Sequence, residues 1–231
     1  VDIASFELGL SEESYSPLEL GFKDIAAIVK MFVRAARRAK VAGFDGLEIS
    51  AAPGELLCSF MMKQSNKRED KYGGKLENRL RLLVEIIAGI KASTGDDFPV
   101  GVRFSGVEDH SYLNGKALPN LYSPSLTEAL EIALLLEKSG VDYLNILRLM
   151  TPMYVTDRDF TTAAALKRKL GIPIIATGAI LDPSQGEMVL SENKADFVAL
   201  ARALIADTDW PLKSREGRTE EICKCIRCNE C

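Results

Sequence analysis

Apolar positions recur at helical spacing from Phe22 to Val41: Ile25, Ile28, Val29, Phe32, Val33 and Ala36 fall on one stripe, with Arg34, Arg37, Arg38 and Lys40 on other faces. The pattern predicts a helix ended by Gly43. A short strand, "FDGLEIS", follows. The alternation then repeats. A helix over Leu76 to Ser93 precedes the strand "FPVGVRFS". The helix "SLTEALEIALLLEKSG" precedes "VDYLNIL". A helix around Thr161 to Lys169 precedes "IPIIATGA", and one around Ser184 to Asn193 precedes "ADFVALARAL". Each strand is short and nearly all apolar, as strands buried on both faces of a parallel sheet are.

Five helix-then-strand units suit a (β/α) barrel or a doubly wound sheet. No G-x-G-x-x-G follows a strand, which counts against dinucleotide binding of the Rossmann kind. Five units do not close an eight-stranded barrel. The expectation is an α/β fold of (β/α)8 TIM-barrel type, of which this chain carries the later, C-terminal part. Residues 1–22 read as an irregular segment, 23–215 as the partial barrel and 216–231 as a cysteine-rich tail. Two irregular stretches after strands, Cys58 to Gly74 and Gly106 to Ser123, would lie on the catalytic face.

Composition narrows the function classes. The chain has 231 residues, 47% of them hydrophobic and 27% charged, with a net charge of −4. Charges of both signs are interspersed, so nothing favours nucleic acid or an anionic membrane as partner. No apolar run approaches the roughly 20 residues of a membrane span. The start, "VDIASFELGLSEESYS", has no basic region followed by an apolar core, and it opens on Val1. The expectation is therefore an incomplete or processed chain with no signal peptide. Of five cysteines, four crowd into "CKCIRCNEC" at the end. A disulfide framework would spread them, so the cluster points to metal or iron–sulfur ligation and to a reducing, cytoplasmic setting.

The strings "AARRAKVAGFDGLEIS", "QSNKREDKYGGKLENRLRLLVEII", "FPVGVRFS", "IPIIATGAI", "ADFVALARALIADTDWP" and "CIRCNEC" occur in that order. Together they resemble the Old Yellow Enzyme family of FMN-dependent oxidoreductases, in its NADH:flavin oxidoreductase and 2,4-dienoyl-CoA reductase branch. The resemblance implies a barrel with FMN at its C-terminal mouth. It implies hydride passing from NAD(P)H through FMN to an activated alkene, an enoate or enoyl thioester. It also implies that the early barrel strands lie outside this chain, so that a second chain or a homo-oligomer covers the gap. The alternative is a shortened, non-catalytic subunit or scaffold that binds flavin weakly or not at all.

The same resemblance assigns residues. Arg103 would face the pyrimidine edge of the flavin; taken alone, it is equally an arginine paired to a neighbouring carboxylate. Gly178 and Arg202 would hold the FMN phosphate, with Ala201 where glycine is usual and Ala179 where relatives carry Arg or Gly. The family's carbonyl clamp and proton-donating tyrosine fall at Ser50, Pro53 and Glu55. Ser50 and Glu55 are then the nearest polar groups for substrate, since proline donates nothing. Cys225, Cys228 and Cys231, with Cys223 nearby, fall where some members ligate a [4Fe–4S] cluster, although the last gap is one residue short. The Ser65–Arg79 string, "SNKREDKYGGKLENR", reads as a pinned loop rather than chemistry, with Tyr72 its one candidate for more. His110, the only histidine, reads as loop surface.

Overall fold

The computed structural model describes residues 18–106, 112–113, 116–117, 124–147, 160–178, 180–228 and 230–231. His110 and Ala179 lie outside the described residues. The chain divides into two compact units. One comprises the described residues up to Phe104 with Leu134–Asp142, and the other Ser105–Ala133 with Tyr143–Cys231.

The first unit opens with α1 (Phe22–Val41), where the periodicity placed it. The Asp24 carboxylate accepts the Gly21 N–H at 2.9 Å, and Arg38 and Lys40 in the last turn oppose the negative end of the helix dipole. Helix α1 lies on α4 (Arg81–Thr94). Gly89 makes the close approach possible, because a Cβ there would stand 2.8 Å from Val33 Cγ2. Strands β1 (Leu47–Ala51) and β2 (Val100–Ser105) pair in parallel, Leu47 opposite Val100 through Ala51 opposite Phe104. Ile49, Ala51, Val100, Val102 and Phe104 are buried, while Glu48, Ser50 and Arg103 stay partly open.

Two features of this unit differ from the sequence reading. A six-residue helix, α2 (Leu56–Met61), follows β1, and the helix expected from Leu76 to Ser93 is broken at Leu80 into α3 (Leu76–Arg79) and α4. A helix of fewer than two turns carries too few positions to show a period.

The second unit starts with the antiparallel hairpin β3 (Tyr112–Leu113) and β4 (Lys116–Ala117). Helix α5 (Leu126–Lys138), whose residues from Leu134 on belong to the first unit, leads to β5 (Tyr143–Leu147), α6 (Thr161–Lys167) to β6 (Ile174–Thr177), and α7 (Pro183–Ser191) to β7 (Phe197–Ala199). The three strands are parallel, with Leu144 opposite Ile174 and Ile175 opposite Phe197. Asp182 caps α7: its carboxylate accepts the Ser184 N–H at 3.0 Å, and Pro183 occupies the first helical position. Helices α8 (Arg202–Ala206) and α9 (Trp210–Arg215) follow β7. Ala203, Trp210 and Ile222 form a small core here. The Asp207 carboxylate takes Lys213 Nζ at 2.7 Å and the Cys223 N–H at 2.8 Å, which ties the start of the tail to this core.

Among the described residues, no helix is long and apolar enough to cross a membrane.

Candidate functional site

Parallel register decides which polar groups meet in the first unit. Ser50 lies opposite Arg103, and Glu48 opposite Gly101. Side chains two apart on a strand share a face. Glu48, Ser50 and Arg103 therefore stand on one face, and the absent side chain at Gly101 leaves room beside Glu48. Arg103 Nη2 donates to Ser50 Oγ at 3.2 Å. Its Nε lies 3.9 Å from Glu48 Oε1, too far for a hydrogen bond, and that buried atom has no hydrogen-bond partner among the described residues. The Arg103 side chain is 36% exposed. The result is a permanent cation, tethered at one nitrogen, with N–H capacity left over. A buried donor without a partner costs free energy unless something else accepts from it.

The segment after β1 has a different job. Ala52 to Glu55 is a tight turn in which the Glu55 N–H donates to Ala52 O at 3.1 Å. Pro53 and Gly54 fill its central positions, and Gly54 sits at φ +83°, a conformation that favours glycine. Pro53 presets the turn that launches α2. Glu55 caps α2 through its backbone: its carbonyl accepts the N–H of Ser59 at 3.0 Å and the Ser59 hydroxyl at 3.2 Å. No hydrogen bond or ion pair joins the Glu55 carboxylate to Ser50 or Arg103. Its charge acts on Cys58 instead: burial first, then Glu55, push the Cys58 thiol up to about 12. Cys58 is thus held as the thiol, the unreactive form.

The Ser65–Arg79 string is spent on structure. Asn66 Nδ2 donates to Phe60 O and Tyr72 O, both at 2.7 Å, and its Oδ1 accepts the Arg68 N–H at 3.1 Å. Arg68 Nη2 lies 2.6 Å from Asp70, and Nη1 donates to Leu20 O at 2.8 Å. Buried Arg79 donates to Met61 O at 2.7 Å and Gly74 O at 3.1 Å. A Cβ on Gly73 would fall 1.9 Å from Arg68 O. Tyr72 is buried, and its hydroxyl donates to Glu85 at 2.9 Å. Burial and then that carboxylate hold the phenol above its usual range.

In the second unit, Gly178 follows β6 at φ +131°, and Arg202 opens α8 behind the exposed Ala201. Arg202 is partly buried. Thr177 Oγ1 donates to Asn145 Oδ1 at 2.5 Å. Asn145 and Glu48 did not feature among the sequence candidates. Their signal was available: each is a polar residue inside a largely apolar strand, "YLNIL" and "LEISA". Ser105, whose buried hydroxyl has no partner among the described residues, gave no signal beyond ending its strand.

At the tail, the Arg227 N–H donates to Cys225 Sγ at 3.4 Å, with Arg227 at φ +59°. Cys223, Cys228 and Cys231 are exposed. Among the described residues, no three His, Cys, Asp or Glu side chains stand close enough together to hold a metal.

Known proteins are similar to this chain in sequence and in fold. The sequence profile of the NADH:flavin oxidoreductase / NADH oxidase family matches residues 2–221. An NADH oxidase of Thermoanaerobacter brockii is 40% identical over 222 residues, covering 92% of this chain and 33% of that protein. A 2-naphthoyl-CoA reductase in complex with 2-naphthoyl-CoA superposes with a TM-score of 0.79 at 29% identity, over 92% of this chain and 32% of that one. Morphinone reductase in complex with tetrahydroNAD gives 0.70 at 29% identity, over 88% and 52%. The chain thus spans about a third of the first relative's length.

Proposed function

The chain belongs to the NADH:flavin oxidoreductase / NADH oxidase family, with the fold of part of an Old Yellow Enzyme-type (β/α) barrel, and from that premise we propose that it forms the later part of the barrel of an FMN-dependent NAD(P)H oxidoreductase acting on an activated alkene. FMN, when bound, supplies the hydride relay between nicotinamide and substrate. The carrying observation is Arg103. Its charge is fixed, one nitrogen is tethered to Ser50, and its buried Nε has no partner among the described residues. Such a donor suits the electron-rich edge of an isoalloxazine, where negative charge develops on reduction. Gly178 and Arg202 supply close backbone approach and a second cation for the phosphate.

Ser50 is the substrate-side hydroxyl nearest Arg103. Pro53 brings no donor, so binding of a carbonyl at this strand end rests on Ser50. A bulky thioester substrate, held largely by contacts away from its carbonyl, tolerates that loss better than a small enone. Two of the similar proteins, by their names, handle an aryl-CoA thioester and a morphinone. The crowd of tail thiols fits a reducing cytoplasm.

The test is flavin uptake. Titration of the purified chain with FMN, followed by flavin fluorescence and the yellow absorbance band, should show saturable binding, with intact FMN released on denaturation. No uptake at saturating FMN would overturn the proposal.

A further inference from the structure

Two arginines of this protein show what a carboxylate does when it holds a guanidinium. Arg68 gives Nε and Nη2 to Asp70, at 3.2 and 2.6 Å. Arg218 gives Nε and Nη2 to Glu216 Oε2, at 2.8 and 2.7 Å. In each, one carboxylate closes the same edge of the guanidinium at hydrogen-bonding distance. Such a pair fixes direction as well as charge.

Arg103 divides that edge. Nη2 goes to the Ser50 hydroxyl at 3.2 Å, while the buried Nε has no hydrogen-bond partner among the described residues. The Glu48 carboxylate comes near without closing the gap: Oε1 stands 3.9 Å from Nε. The backbone sets its place. Glu48 and Ser50 are two apart on β1 and lie opposite Gly101 and Arg103 of β2. Both side chains therefore share the face of Arg103, and Gly101 puts nothing between. At 3.9 Å there is no directional bond, yet opposite charges still act on each other. Orientation of Arg103 thus falls to Ser50, and compensation of its charge falls to Glu48.

That division matters to a bound flavin. Uptake of one hydride from NAD(P)H, which leaves as NAD(P)+, adds one negative charge to FMN. A cation at the flavin edge stabilises that charge and so favours the reduced form. The more it does so, the poorer a hydride donor the reduced form becomes toward an alkene. A carboxylate beside the cation cancels part of its field.

We propose that Glu48 is the counter-charge of Arg103 and lowers the reduction potential of the bound flavin. It acts through the field of Arg103 and touches neither flavin nor substrate. The inference rests on the flavin reading of Arg103 and deepens it, because it assigns the redox poise of the site to a residue of this chain.

The test is the midpoint potential of FMN bound to the 231-residue chain, read by equilibration with a redox dye of known potential. Glu48→Gln keeps the size of the side chain and removes its charge. Affinity for reduced FMN relative to oxidised FMN should rise about tenfold, which is about 30 mV upward for a two-electron couple. Glu48→Asp keeps the charge but draws it back by one methylene. It should move the potential the same way by less, and it carries the test if the glutamine variant does not fold. Asp96→Asn, which removes a carboxylate from the turn before β2, should leave the potential in place. Unchanged potentials in the Glu48 variants would overturn the proposal. So would a fall, the sign expected if Glu48 only orients Arg103, and so would an equal rise in Asp96→Asn. If the wild-type chain takes up no FMN, the flavin reading fails and this proposal with it. Uptake with equal potentials defeats this proposal alone.

Discussion

The Ser65–Arg79 loop and the β1–β2 strand ends are both dense in polar residues, yet they use them in opposite ways. In the loop, every named polar group is matched. Asn66 makes three hydrogen bonds, Arg68 two kinds of contact and Arg79 at least two hydrogen bonds. At the strand ends, Arg103 makes one hydrogen bond to a described residue, and its buried Nε has no partner among the described residues. A spelled-out motif therefore marks where the fold spends its polar groups, and an unspent group marks where something else is expected to bind.

The largest expected effect lies in the loop. Asn66→Ala removes three hydrogen bonds and strands two carbonyls, so urea melts should show a loss of about 2–4 kcal/mol. A loss under about 1 kcal/mol would mean the loop is not the structural half of the comparison. The next effect lies at the strand ends. If FMN binds, the double variant Ser50→His, Pro53→His should raise turnover of a simple enone by about 10², since it restores donors where the turn now has none. A variant that holds FMN and shows no gain would place the limit elsewhere.

Third, Arg103→Met should weaken FMN binding by about tenfold while shifting the melt by less than about 1 kcal/mol, because its native contacts are few. A large melt shift with unchanged FMN affinity would turn Arg103 into a second loop-like structural residue. The smallest effect is acid dependence in the loop. A hydrogen bond from Arg68, partly offset by burial and helped by the Tyr72 N–H, lowers the Asp70 pKa. A carboxylate with a folded pKa below its unfolded value stabilises above about pH 4 and loses that contribution as pH falls through the folded value. The difference between wild type and Asp70→Asn in melts taken across the acid range should therefore close below about pH 4, from under about 1 kcal/mol at neutrality.

Much of the fold was legible because it is periodic. Helix α1 and all five parallel strands lie where apolar spacing puts them. Helices α2 and α8 were not legible, being under two turns long. The site was half legible. Arg103 and Ser50 could be named, but that they touch depends on a register linking residues 53 apart, which spacing does not carry. Glu55 could be named too, but its use as a backbone cap beside Cys58 is set by the Pro53-Gly54 turn. The family's pattern spells a clamp at these positions; here the same positions spell a turn. The carboxylates that accept strand-opening N–H groups, Asp142 from Val100 and Asp196 from Ile174, were invisible for another reason. A carboxylate ahead of a strand looks like ordinary surface until its partner strand is in place.

Asp207 has a consequence for how the protein meets a protease. Its carboxylate holds the Cys223 N–H across 16 residues and Lys213 across 6. Closing a loop of that size costs the chain freedom that the knot must outweigh. It also draws a boundary: Lys213 is occupied by Asp207, whereas Lys224 is largely exposed and Arg227 partly so. Brief trypsin treatment should therefore trim at Arg227 and Lys224 first and stall before Lys213, so that intact mass reads out the point at which the body ends and the tail begins. Asp207→Ala should dissolve that boundary, letting cleavage run inward to Arg218 and Lys213.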